Sequence, residues 1–316
     1  MKTAIGVDLG GTNIKAGVVS EDGSVVATTE CPTLAAEGPD AVVGRMAKLV
    51  TDLKPKAGAG VAGVGVGSPG PLNQLTGMLY FTPNMPGWDN YPLGGNLAKK
   101  TGMKVIVDND ANVAALGEYQ FGAGKGTRTM ILLTLGTGIG GGVIIDGKVL
   151  NGPDVTAGEV GHIVINPDGP KCGCGNHGCL EAYCGTAGIL SRAWAELEKP
   201  HAVSVLREWI GDDQLKLTPA MLTKAAEQGD GIAISVLRET GRLLGVGIAS
   251  LTNLFAPDMV LLGGGIAGAG EFIFRSVREE VEKRAMAPNN KRVKILPAKL
   301  GNTAGLVGAA ALVLRS

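Results

Sequence analysis

The chain has 316 residues, of which 45% are hydrophobic, and its 29 basic residues balance its 29 acidic ones. Balanced charge without a basic stripe argues against nucleic acid or a membrane surface as a partner, and no run of about 18 apolar residues that could span a membrane is present. The length predicts two domains or one large α/β domain, and 51 glycines with 4% aromatic residues predict an aliphatic core and many tight turns.

Strands and helices alternate in the first half of the chain. The helix expected at 39–54 has Pro39 at its first position and a regular apolar face. The Asp22-Gly23 pair predicts the turn of a β-hairpin. The expected strands lie at 2–9, 13–19, 24–30, 61–67 and 104–107, and the expected helices at 39–54 and 110–121.

The second half continues the alternation and contains a weak internal repeat. DLGGTNIKAGVVSEDGSVV, which starts at Asp8, resembles TLGTGIGGGVIIDGKVL, which starts at Thr134. The repeat predicts a duplicated architecture with one glycine-turn hairpin in each half. Strands are expected at 129–135, 140–146, 148–150, 163–165, 259–262 and 293–296, and helices near 186–197, 218–228, 230–255, 270–286 and 303–315.

The glycine loops do not fit the common nucleotide-binding motifs. Gly136, Gly138 and Gly141 match G-x-G-x-x-G, but the β-branched segment 143–145 predicts that a strand follows where a dinucleotide site needs a helix. The run 124–126 lacks the Ser or Thr that a P-loop requires after its lysine. The remaining interpretation is a pair of β-hairpin turns.

Such turns can bind phosphate. Their backbone N–H groups and hydroxyls suit phosphate oxygens, and Asp8, just before the first turn, is expected to orient Mg²⁺ through water. Plain tight turns are the alternative, which the duplication disfavours. A third glycine run at 263–265 is expected at the adenosine of a nucleotide or in a crowded strand–helix turn. The predicted phosphate-binding residues are Gly10, Gly11, Thr12, Thr137 and Gly138.

Three polar residues end the apolar strand before the helix at 110–121. Asp108, Asn109 and Asp110 lie where ligand crevices form in α/β proteins. One of them is needed as the helix N-cap, and any of the three could serve. An ionised carboxylate there could accept a proton from an alcohol that attacks phosphorus, a reaction that depends on positioning.

The segment 159–181, EVGHIVINPDGPKCGCGNHGCLE, concentrates metal ligands. Cys172, Cys174 and Cys179, with His162 ten residues upstream of the first, match the donor set of structural zinc. His177 and Cys184 are competing fourth ligands. The second nitrogen of His162, with Glu159 and Glu181, is expected to hold the hydroxyls of a polyol, and a helix cap is the equally weighted alternative for Glu181. Reduced, metal-binding thiols favour the cytoplasm.

These motifs resemble the ROK family (repressors, open reading frames, sugar kinases), and most of all its bacterial glucokinases. The resemblance runs in order along nearly the whole chain. The segments that carry it are DLGGTNIKAG (8–17), VDNDAN (107–112), LGTGIGGG (135–142), EVGH (159–162) and CGCGNHGCLE (172–181).

The resemblance implies an actin-like, hexokinase-like α/β fold of two duplicated, ribonuclease H-like domains that close over a cleft. The smaller domain would be 1–117 with 303–316 and the larger 118–302. Asp110 would be the general base, and ATP with Mg²⁺ would bind at the glycine turns and, on the adenosine side, at Gly264 and Gly265. The implied sugar-binding residues are Gly67, Ser68, Asn84, Asn109, Asp110, Glu159, His162 and Glu181.

The expected function is therefore ATP-dependent phosphorylation of a hexose, glucose above others, by a homodimer. A kinase for fructose, mannose or an N-acetylhexosamine is the alternative within the same chemistry. A sugar-sensing repressor of the same family is disfavoured because the first strand begins at about residue 2 and leaves no room for a preceding helix-turn-helix. A non-catalytic ATPase is disfavoured by the E-x-G-H segment and the metal loop.

Overall fold

The computed structural model describes residues 2–58, 60–82 and 85–315. They form two compact units: unit 1 takes its residues from 1–127, 142–158 and 299–316, and unit 2 from 128–141 and 159–298. Among the described helices, none combines the length and the apolar character that crossing a membrane requires.

Unit 1 is built on a five-stranded sheet with the strand order β3-β2-β1-β4-β7. The first three strands form an antiparallel meander, and β1, β4 and β7 run parallel. The strands are β1 (Thr3–Leu9), β2 (Asn13–Ser20), β3 (Val25–Pro32), β4 (Val61–Ser68), β5 (Leu72–Asn73), β6 (Met78–Leu79) and β7 (Val105–Asn109), and the helices up to this point are α1 (Pro39–Ala57), α2 (Leu93–Thr101) and α3 (Asp110–Phe121).

A second five-stranded sheet repeats this arrangement with the order β10-β9-β8-β11-β12. Its hairpin strands β9 and β10 pair antiparallel, and β8, β11 and β12 run parallel. The matching strand orders confirm the duplication that the repeat predicts. The elements are β8 (Thr129–Leu135), β9 (Ile139–Ile145), β10 (Lys148–Val149), α4 (Leu180–Cys184), α5 (Thr186–Leu197), α6 (Val205–Ile210), α7 (Pro219–Glu227), α8 (Gly231–Phe255), β11 (Met259–Gly263), α9 (Glu271–Arg284), α10 (Asn289–Arg292), β12 (Lys294–Pro297) and α11 (Ala304–Leu314).

Glycines let α11 pack directly on the sheet of unit 1. A Cβ placed on Gly6 of β1 would lie 2.0 Å from the carbonyl oxygen of Leu306, and one on Gly65 of β4 would lie 1.7 Å from that of Ala309. Both distances are shorter than any real contact, so only glycine allows this approach of helix backbone to sheet. This packing explains part of the high glycine content.

The unit boundaries differ from the predicted domain division. Residues 118–127 and 142–158 lie in unit 1 rather than with the C-terminal part. The physical reason is that α3 continues without a break to Phe121 and that β10 packs against it. A division at residue 117 would cut through this helix.

Some elements were not predicted, and one predicted strand is wrong. The sequence pattern predicts no strand or helix where the hairpin β5–β6 and the helices α2, α6 and α10 lie. The segment 163–165 is not a strand: it makes a single β-bridge, Val164 to Cys179, flanked by backbone bonds to 178 and 180. Pairing therefore stops after one bridge, and a short 3₁₀ helix at Val160–His162 precedes it.

Candidate active site and metal centre

Two carboxylates flank a glycine in one row at the carboxyl ends of three parallel strands in unit 1. Asp8 of β1 is in register with Gly67 of β4, and Gly67 is in register with Asp108 of β7. Ligand sites of open α/β sheets form at this edge. Asn109 and Asp110 follow Asp108 at this edge of the sheet, so the predicted site residues of β7 and α3 lie where such sites form.

Asp108 is a buried structural carboxylate. Its side chain is 1% exposed, and it accepts hydrogen bonds from the Gln74 amide at 2.6 Å, the Asn109 backbone at 2.7 Å and the Asn112 amide at 3.2 Å. Burial raises the pKa of Asp108, and these donors oppose the shift. Both carboxylate oxygens are therefore engaged by protein donors, and Asp108 is held within unit 1 instead of being presented to a substrate hydroxyl.

Asn109 is the N-cap of α3. Its backbone is extended, with φ −64° and ψ 146°, and its side-chain oxygen accepts from the backbone N–H groups of Ala111 and Asn112. The sequence offers three residues for this cap, and Asn109 is the one that forms it. Asp110 is then the first helical residue, and its side chain is exposed.

Gly67 lies directly beside Asp110. A Cβ on Gly67 would lie 3.5 Å from the Asp110 Cα and 2.6 Å from Val113, so any larger residue would press on the first turn of α3. Ser68 is completely buried, and its hydroxyl faces the Pro69 carbonyl at 3.4 Å. Asn84, the remaining predicted sugar residue of this half, lies outside the described residues.

The first glycine loop is a hairpin turn between β1 and β2. The Gly10 N–H bonds to the Asn13 carbonyl at 3.0 Å, and Thr33 holds the carbonyls of Gly10 and Thr12. Gly11 and Thr12 remain exposed. The turn is therefore anchored from one side and presents its other side to solvent, which is compatible with phosphate binding.

Asp8, just before that turn, is largely buried. Burial raises its pKa, and Lys15, its register partner on β2, opposes the shift. A Cβ on Gly305, at the start of α11, would lie 2.8 Å from the Asp8 carboxylate. The carboxylate thus sits against a helix N-terminus, an environment that favours negative charge.

The second glycine loop joins β8 to β9 in unit 2. Gly136 accepts bonds from both the backbone and the hydroxyl of Thr186, the first residue of α5, while Thr137 is exposed. Gly264, with φ +86°, packs against this region: a Cβ there would lie 2.2 Å from the Leu135 carbonyl oxygen. The two predicted nucleotide segments of unit 2 are therefore neighbours, and Gly265 follows at the start of a 3₁₀ turn.

The predicted zinc ligands come together. One donor atom from each of His162, Cys172, Cys174 and Cys179 lies within 4.8 Å of the others. The His162 Nδ1 to Cys172 Sγ distance is 3.6 Å, and the Cys174 to Cys179 Sγ distance is 3.7 Å. Tetrahedral Zn²⁺, with bonds of about 2.0–2.3 Å, separates its ligand atoms by roughly 3.5–3.8 Å. The site fits zinc.

The two competing ligands are excluded. The His177 ring is exposed and faces the Gly169 carbonyl at 3.3 Å. Cys184 is completely buried in α4, where its thiol faces the Thr240 carbonyl, and burial raises its pKa to about 12. Neither side chain belongs to the cluster, in which His162 supplies the nitrogen donor atom.

Glu181 joins the metal centre to the second glycine loop. One carboxylate oxygen accepts the Ile139 N–H at 2.9 Å, and the other lies 3.5 Å from the Cys172 Sγ. Glu181 is in the first turn of α4, whose N-cap is Cys179, without a side-chain cap bond. The helix-cap alternative is therefore wrong. Glu159 precedes the 3₁₀ turn that carries His162, and its side chain is exposed.

Three further amides also belong to this region of unit 1. Gln74, Asn112 and Asn151 bond to one another or to Asp108. Asn112 follows Asp108 by one helical turn, a spacing that could have identified it. Gln74 and Asn151 lie in irregular segments far away in sequence, and no local pattern marks them.

Known proteins resemble the chain along its whole length. A model described as "ROK family" matches residues 4–316. A glucokinase of Thermotoga maritima is 40% identical over 309 residues, which are 98% of this chain and 96% of that protein. A glucokinase of Streptomyces coelicolor is 39% identical over 317 residues, covering 99% and 98%.

A solved structure agrees as well. The ROK family glucokinase from Streptomyces griseus, in complex with glucose and AMPPNP, superposes with a TM-score of 0.85 and 36% identity, covering 99% of this chain and all of that one. This agreement confirms the expected actin-like, hexokinase-like α/β fold. With the expected motifs in place on that fold and the family model spanning nearly every residue, the chain belongs to the ROK family.

Proposed function

We propose that this protein is an ATP-dependent hexose kinase that converts glucose to glucose 6-phosphate, with Asp110 as the general base. Phosphoryl transfer between oxygens needs little covalent participation from the protein, because positioning and charge stabilisation supply most of the catalysis. The similar glucokinases, and the complex of one with glucose and AMPPNP, support this substrate pair.

One observation carries the assignment of the base. Of the three polar residues at the end of β7 and the start of α3, Asp108 is buried and accepts from three protein donors, and Asn109 is a neutral amide whose oxygen caps the helix. Asp110 is the exposed carboxylate of the three. A general base must come within about 2.6–3.2 Å of the proton that it removes, and exposure at the carboxyl ends of parallel strands makes Asp110 accessible to a sugar hydroxyl.

The remaining site residues divide by chemistry. Carboxylates, amides and the second nitrogen of His162 suit sugar hydroxyls, because each offers a directional hydrogen bond. We assign hexose binding to Gly67, Ser68, Asn84, Asn109, Glu159, His162 and Glu181. Glycine turns suit phosphates and the nucleoside, and we assign nucleotide binding to Asp8, Gly10, Gly11, Thr12, Thr137, Gly138, Gly264 and Gly265.

Two metals are part of the proposal. Mg²⁺ bound with ATP would neutralise charge on the transferring phosphoryl group. Zn²⁺ would be held by His162 and the three cysteines as a closed structural site. Metal at Nδ1 leaves Nε2 of His162 as an N–H donor, so this nitrogen would bind a sugar oxygen. The reduced thiols favour a cytoplasmic location, and a homodimer is expected from the family resemblance.

The test is sugar-dependent release of ADP from MgATP, measured in a coupled assay across glucose, fructose, mannose and N-acetylhexosamines. We expect glucose to have the highest kcat/KM, and ³¹P NMR should place the phosphate on the 6-oxygen. The same assay with polyphosphate in place of ATP identifies the phosphoryl donor. Absence of sugar-dependent ADP release with every hexose would refute the kinase proposal, and a higher kcat/KM for another hexose would refute only the assignment of glucose.

A further inference from the structure

Four polar side chains of unit 1 form a closed ring of hydrogen bonds next to Asp110, which we call the polar ring. Gln74 donates to Asp108 at 2.6 Å, and Asn151 donates to Gln74 at 2.9 Å. Asn112 closes the ring by donating to Asn151 at 3.3 Å and to Asp108 at 3.2 Å. Each bond joins two side chains, which is the least common kind of hydrogen bond in proteins.

Asp108 sets the direction of every bond in the ring. Both of its oxygens accept, so the nitrogen of the Gln74 amide faces the carboxylate and the oxygen faces Asn151. The oxygen of Asn151 must then face Asn112, whose two N–H groups are both used. The four bonds of the ring therefore pair a donor with an acceptor in one arrangement, in which the buried Oδ1 of Asn112 lies outside the ring bonds. The ring members come from the end of β7, the first turn of α3, the turn between β5 and β6, and the segment after β10.

The ring also fixes the backbone that carries Asp110. Asp108 accepts the Asn109 N–H at 2.7 Å on one side of Asp110 in sequence, and it bonds to the Asn112 side chain on the other. The first turn of α3 is thereby tied at both ends to a carboxylate that is itself held by Gln74. We propose that Gln74, Asp108, Asn112 and Asn151 are positioning residues that fix the orientation of Asp110 for proton abstraction, an inference that rests on the proposed kinase function.

An isosteric substitution at Asp108 should disorganise the ring without removing volume. In Asp108→Asn, the new amide places an N–H group against the N–H group of Gln74, and neither group can accept a hydrogen bond. Flipping the amides of Gln74, Asn151 and Asn112 in turn moves the mismatch around the ring but does not remove it, because the ring is closed. We expect kcat to fall about 10- to 100-fold, since a misplacement of about 1 Å can cost 100-fold, while the KM for MgATP stays within about twofold.

Moving the carboxylate to the other partner should restore the ring. In the double variant Asp108→Asn with Gln74→Glu, the new amide at 108 donates to the carboxylate at 74, which also accepts from Asn151. The oxygen at 108 still accepts from Asn109 and Asn112. All donors are satisfied and the net charge is unchanged, so kcat should recover most of the loss seen with Asp108→Asn.

The single variant Gln74→Glu provides a second readout. It places two carboxylates within hydrogen-bond distance, and such a pair retains one proton to well above the usual pH. The shared proton replaces the missing donor. The ratio of its kcat to that of the unsubstituted protein should therefore rise as the pH is lowered. Gln214→Glu, an exposed site in unit 2, adds the same charge elsewhere and should leave this ratio independent of pH.

The outcomes separate this inference from the proposed function. If the unsubstituted protein phosphorylates no hexose, the kinase proposal fails and the positioning role fails with it. If the protein is active and the double variant has no higher kcat than Asp108→Asn, the positioning role alone is refuted. Variants that unfold at lower temperature but keep the kcat of the folded fraction would also overturn it, because the ring would then only stabilise the fold.

Discussion

The carboxylate of Glu181 accepts the backbone N–H of Ile139 at 2.9 Å, so the helix that follows the metal loop is bound to the glycine loop of unit 2. The same carboxylate lies 3.5 Å from the thiol of Cys172, and a Cβ on Gly138 would lie 2.3 Å from it. The Glu181 side chain thus contacts both the metal centre and the predicted phosphate loop. The two sites are separate in sequence but are joined through this carboxylate.

Removal of zinc should therefore weaken nucleotide binding as well as stability. Without the metal, Cys172 and Glu181 lose their fixed neighbour, and the Ile139 contact that orders the glycine loop loosens. We expect a zinc-selective chelator, in the presence of excess Mg²⁺, to raise the Kd for a non-hydrolysable ATP analogue measured by calorimetry. Cys174→Ser should have the same effect. Cys31→Ser, a thiol outside the cluster, should have none, and an unchanged Kd in zinc-free protein would contradict the coupling.

The affinity for zinc should rise with pH. Burial raises the pKa of Cys172 and of Cys179, while a backbone hydrogen bond from Asn176 lowers that of Cys174. The folded protein without metal therefore holds protons on the two buried thiols at neutral pH, and zinc must displace them. Competition with a chromogenic chelator between pH 6 and about 8 should show tighter binding at each higher pH, with proton release in calorimetry. A pH-independent Kd would mean that the thiols are already ionised.

Asp110→Asn should leave a folded protein that binds glucose but hardly turns it over. Asn109, not Asp110, caps α3, so the helix keeps its N-terminal bonds. Loss of a general base costs roughly 100- to 10,000-fold in rate, and this loss should appear in kcat with little change in the Kd for glucose. Asp212→Asn, at an exposed position in unit 2, is the matched control. Near-normal kcat in Asp110→Asn would remove this residue from the role of base.

Local pattern predicted much of this fold. The 25-residue helix α8 begins and ends within one residue of its expected bounds, and β8 matches its expected range, because apolar periodicity and turn residues are properties of short segments. The sequence does not predict the helix α2, because Gly94 and Gly95 in its first turn lower its helix propensity.

In the candidate site, too, the sequence predicts only those groups whose members lie close together along the chain. The zinc cluster was predictable because its four ligands lie within eighteen positions. The polar ring was not, because Gln74 and Asn151 reach Asp108 and each other only after the chain has folded, across 34 and 77 residues. Amides in irregular segments carry no periodic signal, so their partners are decided by tertiary structure.

Two glycines in unit 1 should respond to alanine with opposite signs. Gly44 lies inside α1, and a Cβ there would have no heavy atom within 4 Å. Gly44→Ala should therefore stabilise the protein by about 0.5–1 kcal/mol, because alanine loses less backbone entropy in a helix. The added methyl of Gly65→Ala would lie 1.7 Å from the Ala309 carbonyl oxygen, so α11 must move away from the sheet. We expect a loss of roughly 1–3 kcal/mol, as for other overpacked core sites.

Thermal and urea unfolding of both variants measure the difference, since each substitution adds the same single methyl group. Equal Tm values for the two variants would show that α11 does not require a glycine surface, and close helix packing would then not be the reason for the glycines in β1 and β4.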